Sequence, residues 1–376
     1  MKVKLTDICD IQYGYAFDSA LFSETTGTPL VRIRDVVRGF SETRTTESFP
    51  SEYIVNDGDI LIGMDGEFNI ARWHGGTAAL NQRVCRLIPK DVDEDYIFFF
   101  MPSALKAIED KTPYVTVKHL SAKELNKITV PIPTSEEQIR IGTIFDRILR
   151  IIDSRRRELQ ALDNLIKARF VEMFGDPENN SKKWPVYKLS ELCDIGSSKR
   201  IYQEEQTADG IPFWRVSDLV NMMDTGNADS GLYISQEKYD ELTKRNQVPI
   251  VGDILVTSRG TLGRCYIISD TDKFYFQDGM ISWLSKYKKG ITPLYIKHLF
   301  MTPGLIRQID GMQAGSTVAY LSIAMLKKLD IMLPDSETQR RFVEFAAQVD
   351  KSKLTAQKAL DEAQLLFDSL MQKYFG

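Results

Sequence analysis

The chain is written twice, and that constrains its fold more than any other feature. Lys4–Ile11 (KLTDICDI) recurs as Lys188–Ile195 (KLSELCDI), and Pro29–Val36 (PLVRIRDV) recurs as Pro212–Leu219 (PFWRVSDL). Gly58–Leu61 answers to Gly252–Leu255, both GDIL, and Gln82 is matched with Gln277. From Thr116 to Gly175 the register holds without a gap at an offset of 201, ending at Gly376. Earlier the offset drifts from about 183 upward, so the loops differ in length between copies. A fixed-order repeat of this length implies two copies of one structural unit.

Each copy has an irregular part and a helical part. In the first, short apolar runs such as Asp59–Gly63, Val84–Ile88 and Ile254–Thr257 lie between Gly, Asn, Asp and Pro clusters. They predict short strands with long loops and a few helices, Pro293–Met301 among them. In the second, Phe145, Ile152, Leu159, Ile166 and Met173 recur every seven residues, with Ile148 and Leu162 three residues on. At the matching offset stand Leu360, Phe367 and Tyr374, with Val349 and Leu370. Five heptads predict a coiled-coil seam, which Arg155, Arg169 and Lys353 interrupt. Ser135 and Ser336, each followed three residues later by Gln, suit an N-cap with a capping box. Gly175 suits the C′ position.

The domain order is therefore 1–134 globule, 135–175 helix, 176–335 globule, 336–376 helix. About 38 residues at 1.5 Å make each helix roughly 57 Å long. If the second helix lies antiparallel on the first, both apolar stripes are buried and the chain is a pseudo-twofold dumbbell. The fold class is α+β: two repeated mixed α/β domains joined by two long antiparallel helices that form a coiled-coil spacer.

Composition narrows the function. No run of about 18 apolar residues is present, so no membrane contact is expected and a cytoplasmic chain is. Cys9, Cys85, Cys193 and Cys265 lie far apart and read as buried free thiols. Three histidines without zinc-ligand spacing give no basis for a metal site. There is no GxGxxG, P-loop or GxSxG motif, so neither a bound cofactor nor a catalytic centre is expected. Glu109-Asp110-Lys111 imitates the end of a nuclease motif, but acid-x-Lys triplets are common on solvated faces, and that is the reading expected here. A net charge of −4, from 48 basic and 52 acidic residues, argues against a chain that grips nucleic acid unaided.

Loop residues at equivalent places in the two copies remain. Arg32 and Arg215, with Arg34 and Ser217 two residues on, follow matching apolar runs. Arginine can take guanine O6/N7 bidentately, bind phosphate, or merely form an ion pair. The loop carrying Asp65, Glu67, Asn69 and Arg72 is matched with Ser258, Arg259, Thr261 and Arg264. Its flanks agree while its residues differ, as in a varied reading loop or a plain hairpin turn. Asn81, Gln82 and Gln277 could read adenine edges or be satisfied loop amides. Thr116, Lys118 and His119, and Ser316, Thr317 and Tyr320, precede short helices where phosphates or simple caps fit. Tyr13, Tyr15 and Phe17 suit a core better than a stacking platform.

With these residues in hand the chain resembles, over its whole length, the specificity subunits of type I restriction–modification systems. The resemblance rests on YGYAF at Tyr13–Phe17, IPFWRVSDL at Ile211–Leu219, the two GDIL runs and the helix starts at Ile132–Gln138 and Leu333–Gln339. It implies a non-catalytic subunit whose domains each read half of a bipartite double-stranded DNA target. It further implies that the helices dock two methyltransferase subunits, which bind S-adenosylmethionine, and that restriction subunits can join. The rival reading is a scaffold whose globules bind proteins.

Overall fold

A computed structural model describes residues 2–111, 118–228, 230–313 and 319–376. The chain forms two compact units, Met1–Arg157 with Gln357–Gly376, and Glu158–Ala356. The boundary falls inside both long helices, Ser135–Phe174 and Ser336–Phe375. Each unit therefore contains the first half of one helix and the second half of the other.

Among the described residues the first unit has three sheets. Its central sheet runs Cys9–Tyr13, Val84–Pro89, Ile60–Gly63, Ile70–Arg72, all antiparallel. Ile60–Gly63 is buried along its length, which explains its unbroken apolar run. A second sheet runs Phe22–Ser23, Arg44–Thr45, Thr28–Val31, Ala78–Leu80, Ile54–Val55, with Thr28–Val31 parallel to Ala78–Leu80. Lys2–Lys4 pairs with Thr129–Pro131. The second unit repeats the plan. Asp194–Gly196, Ile281–Ser285, Ile254–Thr257 and Cys265–Ile267 form its antiparallel sheet. Ile211–Trp214 lies parallel to Tyr275–Phe276, and Val186–Lys188 pairs with Asp330–Met332. The helix Glu94–Lys111 of the first unit is matched by two, Pro293–Leu299 and Pro303–Gly311. The break falls at Thr302, whose hydroxyl caps the second of them.

The roots of the long helices are built alike, one residue earlier than the sequence suggests. Thr134 Oγ1 accepts from the Glu137 N–H at 3.3 Å, and Asp335 Oδ1 accepts from the Thr338 N–H at 2.7 Å. Thr134 and Asp335, not Ser135 and Ser336, are the N-caps, because the helical turn closes onto them. The glutamines then do something other than complete a capping box. Gln138 Oε1 accepts from the Asp93 N–H at 2.9 Å, and its Nε2 donates to the Pro133 carbonyl at 3.1 Å. Gln339 Oε1 accepts from the Thr292 N–H at 2.9 Å, and its Nε2 donates to the Pro334 carbonyl at 2.9 Å. Both side chains are buried. Asp93 and Thr292 cap the helices that start at Glu94 and Pro293, so each glutamine ties a long helix to a domain helix.

Aromatic rings fill the space above each root. In the first unit Phe145 stacks on Phe99 at 5.1 Å and on Phe375 at 5.5 Å, with Phe367 edge-on at 5.3 Å. In the second Phe170, Phe174, Tyr295 and Phe342 make the matching cluster. Within each unit the two helix halves are antiparallel. Arg140 meets Tyr374 while Phe145 meets Phe367, and Phe174 meets Phe342 while Asp163 meets Lys353.

The heptad positions are turned inward. Phe145, Ile148, Ile152, Ile166 and Val349 are buried, and Leu159, Leu162, Met173, Leu360, Phe367, Leu370 and Tyr374 are partly so. Two interrupting cations have local partners: Lys353 Nζ lies 2.5 Å from Asp163, and Arg169 lies over the Phe345 ring. All four cysteines are buried free thiols, and burial pushes each pKa up to about 12. Tyr15 and Phe17 pack edge to face at 4.9 Å, with Tyr53 and Phe49 completing the cluster. Among the described residues no helix is long and apolar enough to cross a membrane.

Two outcomes follow from this packing. Gln339→Leu should cost about 2–3 kcal/mol in denaturant unfolding, because it strands the part-buried Thr292 N–H and the Pro334 and Gly290 carbonyls. A loss under about 0.5 kcal/mol would contradict the clamp. His298 packs edge-on to Phe342 at 5.1 Å, and burial, then Lys297 and Lys353, push its pKa down to about 4. The unfolded histidine binds its proton first, near pH 6.5. Its contribution is therefore full above pH 6.5 and falls away as pH drops toward 4. Compared with wild type, His298→Phe should lose less stability between pH 7.5 and pH 5; equal losses would contradict the assignment.

Candidate nucleic-acid interface

Parallel pairing explains how the candidate residues meet. Val31 is in register with Leu80, so the chain leaves both strands at one edge, delivering Arg32 and Asn81 side by side. In the second unit Trp214 is in register with Phe276, which delivers Arg215 and Gln277 to the same place. The frame is confirmed by the backbone: the Asn81 N–H donates to the Val31 carbonyl, as the Gln277 N–H does to Trp214. The structural partner of Gln277 is thus Asn81, not Gln82.

A buried carboxylate fixes each edge. Asp35 accepts from the Arg32 N–H at 2.9 Å, and Asp218 accepts from the Arg215 N–H at 2.8 Å. Beyond that the arginines differ. The Arg32 guanidinium is exposed and makes no hydrogen bond or ion pair among the described residues. Arg215 folds back, with Nε 3.2 Å from Asp218 and Nη2 3.4 Å from the Ser230 carbonyl. Arg34 reaches Thr43 at 3.2 Å, and Ser217 reaches Asp218 at 3.4 Å.

In the first unit these residues line an open groove. Arg32, Arg34, Asn69, Asn81, Gln82 and Arg83 supply its polar wall, and Phe17, Phe22, Ile33 and Val37 its apolar one. Gln82 and Arg83 are exposed, while Asn81 is buried with Oδ1 facing the Arg83 N–H. Three guanidinium groups beside amides and apolar rings suit an anionic, flat-edged ligand, which is what a nucleic-acid groove presents. Arg83 escaped the sequence reading although it follows the Asn81-Gln82 pair directly. Its place depends on a salt bridge to Asp65 at 2.9 Å, which spacing alone does not reveal.

Other candidates sit elsewhere. Arg72 is drawn away from the groove to Glu94 and Asp95, and lies over the Phe98 ring. Its backbone counterpart is Ile267, whereas Arg264 stands where Asn69 does and is held bidentately by Asp224. Ser258 is buried, its hydroxyl 2.8 Å from Ser282, so it is withdrawn from the exposed edge. Lys118 Nζ is tied to the Glu109 carbonyl at 2.9 Å. His119 Nδ1 lies 2.5 Å from Asp65. Glu67, Thr261 and Arg259 are exposed, and the Tyr320 hydroxyl donates to the Gly279 carbonyl. Thr116, Ser316 and Thr317 lie outside the described residues. Among the described residues no cluster of His, Cys, Asp and Glu could hold a metal ion.

The arrangement is that of a two-domain specificity fold. It superimposes on the specificity subunit of M. genitalium with a TM-score of 0.62 at 15% identity, covering 100% of this chain and 96% of that one. A second solved chain, from work on the assembly and conformational transition of the type I restriction–modification system, gives 0.55 at 17% identity over 100% and 97%. The profile described as "Type I restriction modification DNA specificity domain" matches residues 1–164 and 181–363. The chain belongs to this family, as a type I restriction–modification specificity subunit with two target-recognition domains. It is 29% identical to the EcoBI specificity subunit of Escherichia coli, over 100% of this chain and 85% of that protein. With the MjaVIII specificity subunit of Methanocaldococcus jannaschii it shares 24% over 80% of this chain and 74% of that one.

Arg72→Ala provides a contrast between brace and reader. It should lower stability by about 1 kcal/mol in denaturant unfolding while leaving the recognised sequence unchanged. An altered recognition sequence in a variant of full stability would place Arg72 among the reading residues after all.

Proposed function

We propose that this chain reads a bipartite double-stranded DNA target, one half-site per unit, and itself catalyses nothing. The observation that carries the reading is the pair of edges. The same backbone frame, set by Asp35 and Asp218, presents different side chains in the two units. One frame carrying two sets of readers is what a split, non-palindromic target requires. The long helices act as the spacer and the dock for two methyltransferase subunits, and restriction subunits join the same assembly in the cytoplasm. S-adenosylmethionine is bound by the methyltransferase subunits and not by this chain. The near-balanced charge of −4 fits a subunit whose partners supply much of the phosphate contact.

Co-expression with the cognate methyltransferase subunit, followed by mapping of methylated positions in the host genome, tests this. A split motif with an unread spacer is expected. Replacing residues 176–334 with the matching domain of a relative should then change one half of the motif only. Stable complex formation without sequence-specific methylation would favour the protein-binding scaffold instead.

A further inference from the structure

One position on the repeated frame carries an arginine in both units, but from opposite strands. In the first unit the Met64 N–H donates to the Arg83 carbonyl at 3.0 Å, and the Leu120 N–H to the Met64 carbonyl at 2.7 Å. In the second, Ser258 receives and gives the same bonds, from its N–H to Met280 at 2.9 Å and from the Leu321 N–H at 2.9 Å. Asp65 bridges His119 as Arg259 bridges Tyr320. These ladders superimpose Asp65 on Arg259 and Arg83 on Met280. The sequence comparison, which set Asp65 against Ser258, was out of register by one residue here.

The pair is thus Asp65–Arg83 in one unit and Arg259–Met280 in the other. Arg83 Nη1 lies 2.9 Å from Asp65 Oδ2, and the other oxygen of Asp65 is taken by His119 at 2.5 Å. With His119 on one oxygen, the carboxylate is fixed, and it fixes the guanidinium plane in turn. Among the described residues Arg259 has no carboxylate partner there; its Nη1 lies 4.0 Å from the Met280 sulfur, a soft contact that leaves the fork to be ordered by a ligand. Both arginines are exposed. Arg83 shares its groove wall with Gln82, Asn81 and Arg32.

We propose that Arg83 and Arg259 are the specificity-determining arginines of the two half-sites, each reading the O6/N7 edge of one guanine. This rests on the reading of the units as DNA-recognition domains. Base reading needs a planar fork aimed in one direction, set beforehand by a partner or on binding by the ligand, whereas a phosphate contact needs only the charge. Asp65 supplies that direction for Arg83 and is a positioning residue. A bidentate arginine–guanine pair discriminates against the wrong base by about fivefold to 150-fold.

The experiment maps methylation by the full chain co-expressed with its methyltransferase subunit, for wild type, Arg83→Lys, Arg83→Ala, Arg259→Lys and Asp65→Asn. A lysine keeps the charge and loses the fork. Arg83→Lys and Arg83→Ala should both make one G·C position degenerate, by about fivefold or more, in one half-site while the other half stays intact. Arg259→Lys should do the same in the opposite half-site. Asp65→Asn should relax the same base pair as Arg83→Lys, by a smaller factor, which a merely structural role would not do. If lysine restores wild-type methylation and alanine lowers it evenly across an unchanged motif, Arg83 binds phosphate and the proposal is overturned. A wild-type half-site without any G·C pair overturns it as well, as does one substitution that relaxes both halves. Absence of any bipartite motif with the wild-type chain would instead refute the DNA-recognition reading, and this proposal with it.

Discussion

A helix of 40 residues with a charged outer face has no reason to leave its domain in a fixed direction unless its root is held. Gln138 and Gln339 hold the two roots here, each buried and each bonded on both ends of its amide. An amide suits this place because it offers an acceptor and donors together, which the Asp93 or Thr292 N–H and the proline carbonyls require. A leucine would fill the volume and leave those groups without partners. Next to the clamp, Tyr96 and Tyr295 donate to the Pro131 and Met332 carbonyls, fixing the strand that leads into each helix. Close approach tightens the first unit further. A Cβ on Gly142 would come within 2.6 Å of Asp95 Cβ, so the long helix and the domain helix touch through that glycine.

The same frame carries different contents at its other end. Asp35 and Asp218 are buried and tie the start of a short helix to the strand before it, so the edge keeps its shape whatever side chains it displays. The cores show the same tolerance. Phe145 in one copy corresponds to Ala346 in the other, and Ile141 to Phe342, so the large ring has moved one helical turn while the cluster stays filled. Such a core tolerates the swap because neighbouring rings, Phe170 and Phe174, fill the space left beside Phe342.

Much of this was legible in the sequence because its signals are local or periodic. The 201-residue offset located both long helices, the heptads picked the inward faces, and the apolar runs located the central strands. Where the structure differs, the cause lies in contacts and loop lengths that residue spacing does not show. The N-caps moved by one residue because the Thr134 hydroxyl and the Asp335 carboxylate, not the serine hydroxyls, accept from the first-turn N–H groups, while the glutamines are drawn to Asp93 and Thr292. Gln277 was set against Gln82 and Arg264 against Arg72 because like residues were aligned across loops of unequal length, and only the ladder bonds count correctly there. Arg72, a candidate DNA-contacting residue by sequence, is paired with Glu94 and Asp95, more than 20 positions away.

The discontinuity of the first unit has a consequence for synthesis. Its socket around Phe99 and Phe145 is closed by Phe367 and Phe375, which the ribosome adds more than 200 residues after Phe145. The second unit, Glu158–Ala356, is continuous and has all its parts as soon as its last residue emerges. At about 5–20 residues per second the first unit waits roughly 12 to 46 seconds with an open aromatic face. The half of the protein that is made first is therefore the half that finishes folding last.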